Sequence, residues 1–209
     1  MNQSATPVVR RATEHDIEEM ALVVARAFDV DDPIEEYIFP DPAERHRRAP
    51  EMVRLMIKYR FLPADGAAVA TVDDRIVAAL LWYPPGYRTS LWREMISGPL
   101  LLKAMGSATR RGMDVDAAIA RVSPPQPHSM LVYLACEPEW QTSGVGMTLA
   151  SWAVADADEH GATVGGICKD ANLPFYEAFG GEFVTKTRLG RKGPEVNFVL
   201  RPAVTADAT

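Results

Sequence analysis

Short apolar runs alternate along this chain with stretches in which apolar residues recur every three or four positions. The apolar runs predict strands, and these lie at residues 8–11, 67–72, 75–83, 131–136, 163–168, 183–188 and 195–200. The helical spacing predicts helices, and these lie at residues 13–28, 43–62, 90–105, 107–122, 145–160 and 172–179. The chain is therefore predicted to mix helices and strands along its whole length.

The stretch from Leu131 to Trp152 joins a buried strand to a helix through a short polar turn. Two glycines of that turn, Gly144 and Gly146, carry no side chain that would obstruct a ligand. The first amides of a helix have no helical partner, and the helix dipole is positive at this end. The turn from Gln141 to Gly146 therefore predicts a site for an anion, most often a phosphate.

The spacing within this turn selects among the known kinds of phosphate site. A P-loop needs a Lys followed by Ser or Thr, but Met147 and Thr148 stand there. A Rossmann fingerprint needs a small third residue where Leu149 stands. The pattern Gln-x-x-Gly-x-Gly instead resembles the acyl-CoA signature of the GNAT N-acetyltransferase superfamily. The resemblance implies an α/β GNAT fold, which is a mixed, largely antiparallel sheet flanked by helices. It also implies that the amides of this turn hold the CoA pyrophosphate and that the preceding strand splays from its neighbour.

A second motif, from Asn172 to Gly181, resembles the Asn-x-x-Phe-Tyr-Glu-x-x-Gly element of the same superfamily. The resemblance implies that Tyr176 protonates the departing CoA thiolate and that Asn172 lies along the cofactor. A phenol close to its ordinary pKa suits that proton transfer. The alternative for Tyr176 is a packing role on an amphipathic helix. The resemblance implies acetyl-CoA as co-substrate, bound by Leu134, Ala135, Cys136, Gln141, Thr142, Ser143, Gly144, Val145, Gly146, Met147, Asn172 and Tyr176.

Across residues 8–202 the chain is similar to small-molecule acetyltransferases of the puromycin N-acetyltransferase type. Trp82 ahead of Pro84-Pro85-Gly86 is among the residues that carry the similarity. It implies a small amine as acceptor, such as an antibiotic, an aminonucleoside or a biosynthetic intermediate, and hence a role in antibiotic resistance. The predicted helices at 90–122 form an extra helical insertion before the fourth strand, and we expect them to shape acceptor specificity.

Candidate acceptor-site residues are the aromatic side chains of Phe28, Trp82 and Tyr83, although a core aromatic on a buried strand is the alternative for the last two. The stretch from Asp29 to Glu36 holds five carboxylates. It is interpreted either as a solvated acidic loop or as a border of the acceptor cleft that draws in an ammonium group.

No general base stands at the position on the fourth strand where many GNAT enzymes carry one. His128 at the start of that strand and Glu137 near its end are the remaining candidates, acting through a water. Gly166 departs from the pattern of related small-molecule enzymes, which often carry a Glu at this position of the fifth strand.

Length and composition fit one globular domain over residues 1–209, with 47% hydrophobic and 24% charged residues, and we expect 203–209 to be a loose tail. A net charge of −6 argues against nucleic-acid binding. Because there is no long apolar run and no secretory-type N-terminal segment, we expect a cytoplasmic protein without a membrane partner, as a monomer or homodimer. Cys136 and Cys168 are expected as reduced thiols, and the scattered histidines predict no metal site.

Together these features predict an acetyl-CoA-dependent N-acetyltransferase that acts on a small amine by direct attack in a ternary complex. Two alternatives stay open: an acetyltransferase for a protein N-terminus or lysine, and a non-catalytic acyl-CoA-binding sensor. A Tyr176 that points away from the thiol would favour the sensor.

Overall fold

The computed structural model describes residues 7–204, so 1–6 and most of the expected tail at 203–209 lie outside the described residues. All seven predicted strands form, and they build one sheet. They are β1 (Val8–Arg11), β2 (Ala67–Val72), β3 (Arg75–Tyr83), β4 (His128–Cys136), β5 (Thr163–Cys168), β6 (Glu182–Arg188) and β7 (Glu195–Arg201). Their order across the sheet is β1-β2-β3-β4-β5-β7-β6.

One parallel pair interrupts an otherwise antiparallel sheet. β4 and β5 run parallel, whereas the neighbouring pairs β3–β4 and β5–β7 are antiparallel. The β4–β5 register begins at His128–Thr163 and stops at Leu131–Gly166. Beyond that point β4 stays paired with β3 as far as Cys136, so the two parallel strands splay apart. This confirms the mixed, largely antiparallel sheet.

Seven α-helices cover the two faces of the sheet in the described part of the chain. They are α1 (Ile17–Ala27), α2 (Pro33–Ile38), α3 (Pro42–Met56), α4 (Leu91–Met105), α5 (Thr109–Val122), α6 (Val145–Glu159) and α7 (Leu173–Glu177). α6 packs across β2, β3, β4 and β5 on one face, and α1 packs against β3, β4 and α3 on the other. Each face has its own apolar core, because strand side chains alternate between the faces.

The extra helical insertion before the fourth strand forms as predicted. α4 and α5 are separated at Gly106, whose φ of 57° is in the left-handed region that glycine adopts readily. α4 packs against α3, and α5 packs against α2 and β6. The insertion therefore covers one side of the sheet close to the place where β4 and β5 diverge.

The stretch between Asp29 and Glu36 is not a loop throughout, because it contains the short helix α2. Asp32 caps this helix by accepting hydrogen bonds from the N–H groups of Ile34 (3.0 Å) and Glu35 (2.9 Å). Pro33 occupies the first helical position, where its missing N–H costs nothing. The Asp-Pro pair was thus a helix-start signal in the sequence, and the same pair begins α3 at Asp41-Pro42.

No helix within 7–204 combines the length and apolar character needed to cross a membrane. The same residues contain no group of three or more His, Cys, Asp or Glu side chains arranged to hold a metal ion.

Candidate active site

The splay of β4 from β5 opens one cavity of about 820 Å³. Leu134 and Cys136 of β4 line one wall, and Ile167 and Cys168 of β5 line the other. In an interior strand alternate backbone groups point to each neighbour. Half of the backbone N–H and C=O groups of β4 beyond Leu131 therefore have no strand partner on the β5 side, and they are available to an extended ligand.

One end of the cavity is the turn that precedes α6. Thr142 and Gly144 both have positive φ angles, 64° and 90°. The first helical hydrogen bond runs from the N–H of Thr148 to the carbonyl of Gly144 at 3.0 Å, which leaves the preceding N–H groups of the helix without helical partners. No side chain caps this helix. The amides and the positive end of the helix dipole thus remain free for an anion.

Most of the residues predicted to bind the cofactor line this cavity. Leu134, Cys136, Gln141, Thr142, Gly144, Gly146, Met147, Asn172 and Tyr176 do so. The side chains of Ala135 and Val145 are instead buried in the two cores, and Ser143 donates its hydroxyl to the carbonyl of Trp140 at 2.5 Å. These three residues offer a ligand their backbone groups rather than their side chains.

Tyr176 on α7 reaches the cavity wall at β5. A Cβ added to Gly166 would lie 2.9 Å from Tyr176 Cε1 and 3.1 Å from its Oη. Glycine at 166 thus makes room for the phenol, which explains why no larger residue stands there. Burial, and to a lesser degree the nearby Cys168, raises the pKa of Tyr176 above its ordinary value. The phenol therefore departs from the ordinary pKa expected from sequence, and it stays protonated at neutral pH.

The opposite end of the cavity is lined by residues of α2, α3, α4 and α5. Phe28 lines it as predicted and meets the ring of Tyr133 edge-on, with centroids 5.3 Å apart. Asp32 and Glu35 line it too, although both are buried. The acidic stretch is therefore not a solvated loop throughout, because Asp32 and Glu35 are buried at the cavity, whereas Asp31, which also lines it, and Glu36 are exposed to solvent. That these carboxylates draw in an ammonium group stays a prediction.

Trp82 and Tyr83 do not line the cavity, and their assignment to the acceptor site is corrected. Trp82 is 0% exposed and packs edge-on against Trp152 of α6 in the core on the other face of the sheet. Tyr83 stacks between Phe61 and Tyr87, with ring centroids 4.9 and 4.5 Å away. The end of β3 alternates regularly between the faces, with Leu80 and Trp82 in the core on the α6 face and Leu81 in the other, and a core position is the ordinary place for such aromatics.

The two candidate bases also lie away from the cavity. His128 is in the part of β4 that is still paired with β5, and its Nδ1 lies 2.9 Å from the carbonyl of Gln126. Glu137 is 2% exposed and is bonded to the guanidinium of Arg26. Neither residue lines the cavity, and the Glu137 carboxylate is already engaged with Arg26, so the structure assigns neither residue to proton transfer.

Several charged residues in the cavity escaped the sequence interpretation. Arg60 and Asp116 both line it, and burial raises the pKa of Asp116, against the opposing effect of the Arg60 charge. Tyr133 donates a hydrogen bond to Glu35 at 2.8 Å. No local pattern identifies such residues, because they come from different elements and meet when the chain folds.

Alanine at Gly144 is expected to weaken acetyl-CoA binding by roughly tenfold, which is about 1.4 kcal/mol. A methyl group at a φ of 90° favours another backbone conformation and turns the free amides away. Gly161 at the far end of α6 is the matched control: its φ is also positive, 60°, and a Cβ there likewise meets nothing within 4 Å. Isothermal titration with acetyl-CoA measures both variants. Equal loss of affinity at 144 and 161 would contradict a role of the turn in binding.

Comparison with known proteins identifies the fold. No protein-family model matches this chain, and no curated protein matches it. Among solved structures, one described as histone acetyltransferase HPA2 and related acetyltransferase, from Corynebacterium glutamicum, superposes with a TM-score of 0.75 at 22% identity, covering 97% of this chain and 99% of that one.

Two further solved structures have the same fold. A GNAT-family acetyltransferase from Streptococcus pneumoniae gives a TM-score of 0.60 at 12% identity, covering 95% of this chain and 100% of that one. An agmatine N-acetyltransferase mutant gives 0.55 at 15% identity, covering 93% and 98%. The chain has the fold of the GNAT acetyltransferases.

Proposed function

We propose that this protein is an acetyl-CoA-dependent N-acetyltransferase that acts on the amine of a small molecule. The observation that carries the proposal is one continuous cavity of about 820 Å³, which extends from the amides before α6 to a chamber lined by the buried carboxylates Asp32 and Glu35. The cofactor's pyrophosphate at the turn and its pantetheine along the splayed edge of β4 would direct the thioester towards that chamber.

Two groups of this chain would act on the thioester. Unpaired backbone N–H groups of β4, in the stretch from Leu134 to Cys136, polarise the carbonyl and stabilise the oxyanion that forms on attack. Tyr176, protonated at neutral pH, gives its proton to the sulfur as the C–S bond breaks. Both functions need the cofactor to lie in the gap between β4 and β5.

Direct transfer to the amine is favoured over an acetylated cysteine. Cys136 and Cys168 both line the cavity, but burial raises the pKa of each thiol to about 11. The nucleophile in such chemistry is the thiolate, and at neutral pH almost none is present at these sites. We therefore assign the attack to the acceptor amine itself, within a ternary complex.

A small acceptor is favoured because the inserted helices narrow the acceptor end of the cavity with apolar side chains. Leu101 and Met105 of α4 and Ile119 of α5 line its apolar side, where a groove open at both ends would suit a peptide better. The agmatine acetyltransferase shares this fold, as does the structure described as a histone acetyltransferase. An antibiotic of the aminonucleoside kind, as the sequence resemblance suggests, belongs to this class of acceptor.

The test is acceptor-dependent release of free thiol from acetyl-CoA. The panel comprises aminonucleosides, aminoglycosides, polyamines, amino acids and short peptides. Thiol release with one class of small amine, and mass spectrometry of the acetylated product, is the expected result. Release with peptides alone would favour a protein acceptor, and tight binding of acetyl-CoA without transfer to any amine would favour the sensor.

A further inference from the structure

One buried carboxylate in the cavity has an oxygen without a partner. Glu35 is 3% exposed, lines the cavity, and its Oε2 has no hydrogen-bond partner among the described residues. Its Oε1 accepts the hydroxyl of Tyr133 at 2.8 Å. A buried carboxylate oxygen without a hydrogen bond is costly and is normally satisfied. Because Glu35 is part of the cavity lining, a ligand in the cavity or a proton on the carboxyl group can supply the missing partner.

The charged groups around Glu35 are already engaged with other partners. Asp32 accepts two backbone N–H bonds as the cap of α2. Arg45 of α3 donates to Asp29 at 3.2 Å and to the carbonyl of Phe39 at 2.9 Å. The groups that act on the pair of Glu35 and Tyr133 from the surrounding elements are Asp32 of α2, Arg45 of α3, and Asp116 of α5. No cation of the described chain neutralises Glu35, so its charge is available to a cationic ligand.

The backbone around Glu35 fixes its position in the cavity. The cap by Asp32 anchors the start of α2, and Tyr133 belongs to β4, one residue before the stretch assigned to the thioester carbonyl. The hydrogen bond between Tyr133 and Glu35 thus links the acceptor chamber directly to the strand that holds the cofactor. An amine bound at Glu35 lies on the acceptor side of that strand.

We propose that Glu35 is the general base of the acetyl transfer, held in place by Tyr133, and that the acceptor is a primary amine with one ammonium group on an apolar body. This inference rests on the proposed function. Burial, countered in part by the Tyr133 hydroxyl, raises the pKa of Glu35 to about 7. Near neutral pH the group can therefore both take and release a proton.

The proton balance of the reaction is complete with the groups present. The ammonium group passes one proton to Glu35, and the neutral amine nitrogen forms a bond to the thioester carbonyl carbon. The C–S bond then breaks, and the sulfur takes the proton of Tyr176. The new amide nitrogen loses its extra proton, which restores the phenol. Glu35 releases its proton to water when the product leaves, so one proton appears for each acetyl group transferred.

The chamber also restricts the rest of the acceptor. Arg60 and Asp116 both line the chamber with opposite charges, which cancel in its net charge, and Glu35 is the carboxylate that we assign to one ammonium group. The remaining walls are apolar, and they include Met52, Met56, Leu101, Met105, Val115 and Ile119. Such walls favour an acceptor body that is removed from water on binding. For a second charged amine the nearby carboxylate is Asp32, whose Oδ1 already accepts two backbone N–H groups as the cap of α2, so we expect a diamine to be the poorer acceptor.

The test compares Glu35→Gln with Glu36→Gln, the exposed neighbour on the same helix. The acceptors are 2-phenylethylamine, with an apolar body, and putrescine, with a second ammonium group. For Glu35→Gln we expect kcat to fall by roughly 10²-fold, with acetyl-CoA affinity unchanged and the acidic limb of the pH–rate profile lost. Glu36→Gln is expected to behave as wild type. 2-Phenylethylamine should exceed putrescine in kcat/KM by roughly tenfold.

A second variant, Tyr133→Phe, tests the positioning role. The hydroxyl holds down the pKa of Glu35, so its removal should shift the acidic limb of the profile to higher pH without abolishing activity at high pH. Stability gives a readout independent of turnover. Because folding raises the pKa of Glu35, the folded state loses stability as pH rises from about 4.5 to about 7. Glu35→Gln should therefore have the higher Tm at pH 8, and the difference should shrink at pH 5.

The outcomes separate this inference from the proposed function. If wild type acetylates an amine and Glu35→Gln keeps both its rate and its pH profile, Glu35 is not the base, although the enzyme remains an acetyltransferase. Equal use of putrescine would overturn the substrate class alone. If wild type binds acetyl-CoA but acetylates neither amine nor any member of the wider panel, the proposed function fails and the role of Glu35 fails with it.

Discussion

Replacing Tyr176 by phenylalanine is expected to lower acceptor-dependent turnover by roughly 10²-fold or more while acetyl-CoA still binds. The substitution removes the phenol proton and keeps the ring that lines the cavity beside Gly166. Stopped-flow thiol release measures kcat, and titration with acetyl-CoA measures affinity. A loss confined to kcat would identify an interaction made in the transition state.

The pKa values in the cavity explain why this proton matters. Burial raises the pKa of the Cys136 and Cys168 thiols to about 11, because the cavity does not solvate a thiolate as water does. A CoA thiolate that leaves into the same space is destabilised in the same way. Proton transfer from Tyr176 removes that charge as the C–S bond breaks.

Tyr87→Phe is the matched control for this prediction. Tyr87 stacks on Tyr83, and its ring does not line the cavity. Removal of its hydroxyl should therefore leave turnover within about twofold of wild type, as for a surface substitution away from the site. A Tyr176→Phe enzyme with wild-type kcat would mean that the thiolate leaves with a proton from another source, and Tyr176 would then be a packing residue.

Alanine at Gly166 is expected to lower turnover by about 10- to 100-fold, because a misplacement of about 1 Å at a reacting group has effects of that size. The added Cβ would lie 2.9 Å from Tyr176 Cε1, closer than such atoms approach in proteins. Since the neighbour is a rigid aromatic ring, the phenol must move. The pyrophosphate turn lies on another element, so acetyl-CoA affinity should change little.

Gly165→Ala provides the control within the same strand. A Cβ at 165 points to the opposite face of β5, where it would lie 3.3 Å from Met130 Cε and Phe198 Cε2. It should lower stability and leave kcat nearly unchanged. The double variant Gly166→Ala/Tyr176→Phe should be no slower than Tyr176→Phe, because the first change acts through the second residue. Additive losses would show that Gly166 acts by another route.

Local pattern predicted most of the secondary structure. The seven strands and the break at Gly106 are confirmed, because alternating apolar runs and a glycine in the left-handed region are decided by neighbouring residues. α2 was missed because five carboxylates suggested a solvated segment. The Asp32-Pro33 pair is the local signal that would have identified it.

In the candidate site, too, the sequence predicted some residues correctly and missed others. The turn from Gln141 to Gly146 was predicted from its glycines and from the helix that follows, and the structure brings it to the cavity. For Trp82 and Tyr83 the sequence left two positions open, the acceptor site and the core, and the structure places both against the apolar cores. Nothing in the local sequence reports which elements cover each face of the sheet.

The sequence by itself determined the parts of this protein that lie within one segment. These are the strands, the helical insertion, and the strand, turn and helix around Gly144, where short-range sterics and unpaired helix amides decide the outcome. The tertiary structure alone decided the rest. Glu35 and Tyr133 are 98 residues apart in the chain and share a hydrogen bond of 2.8 Å. Their meeting, and the burial that raises the pKa of Glu35, exist because α2 packs over the splayed end of β4, which no local pattern encodes.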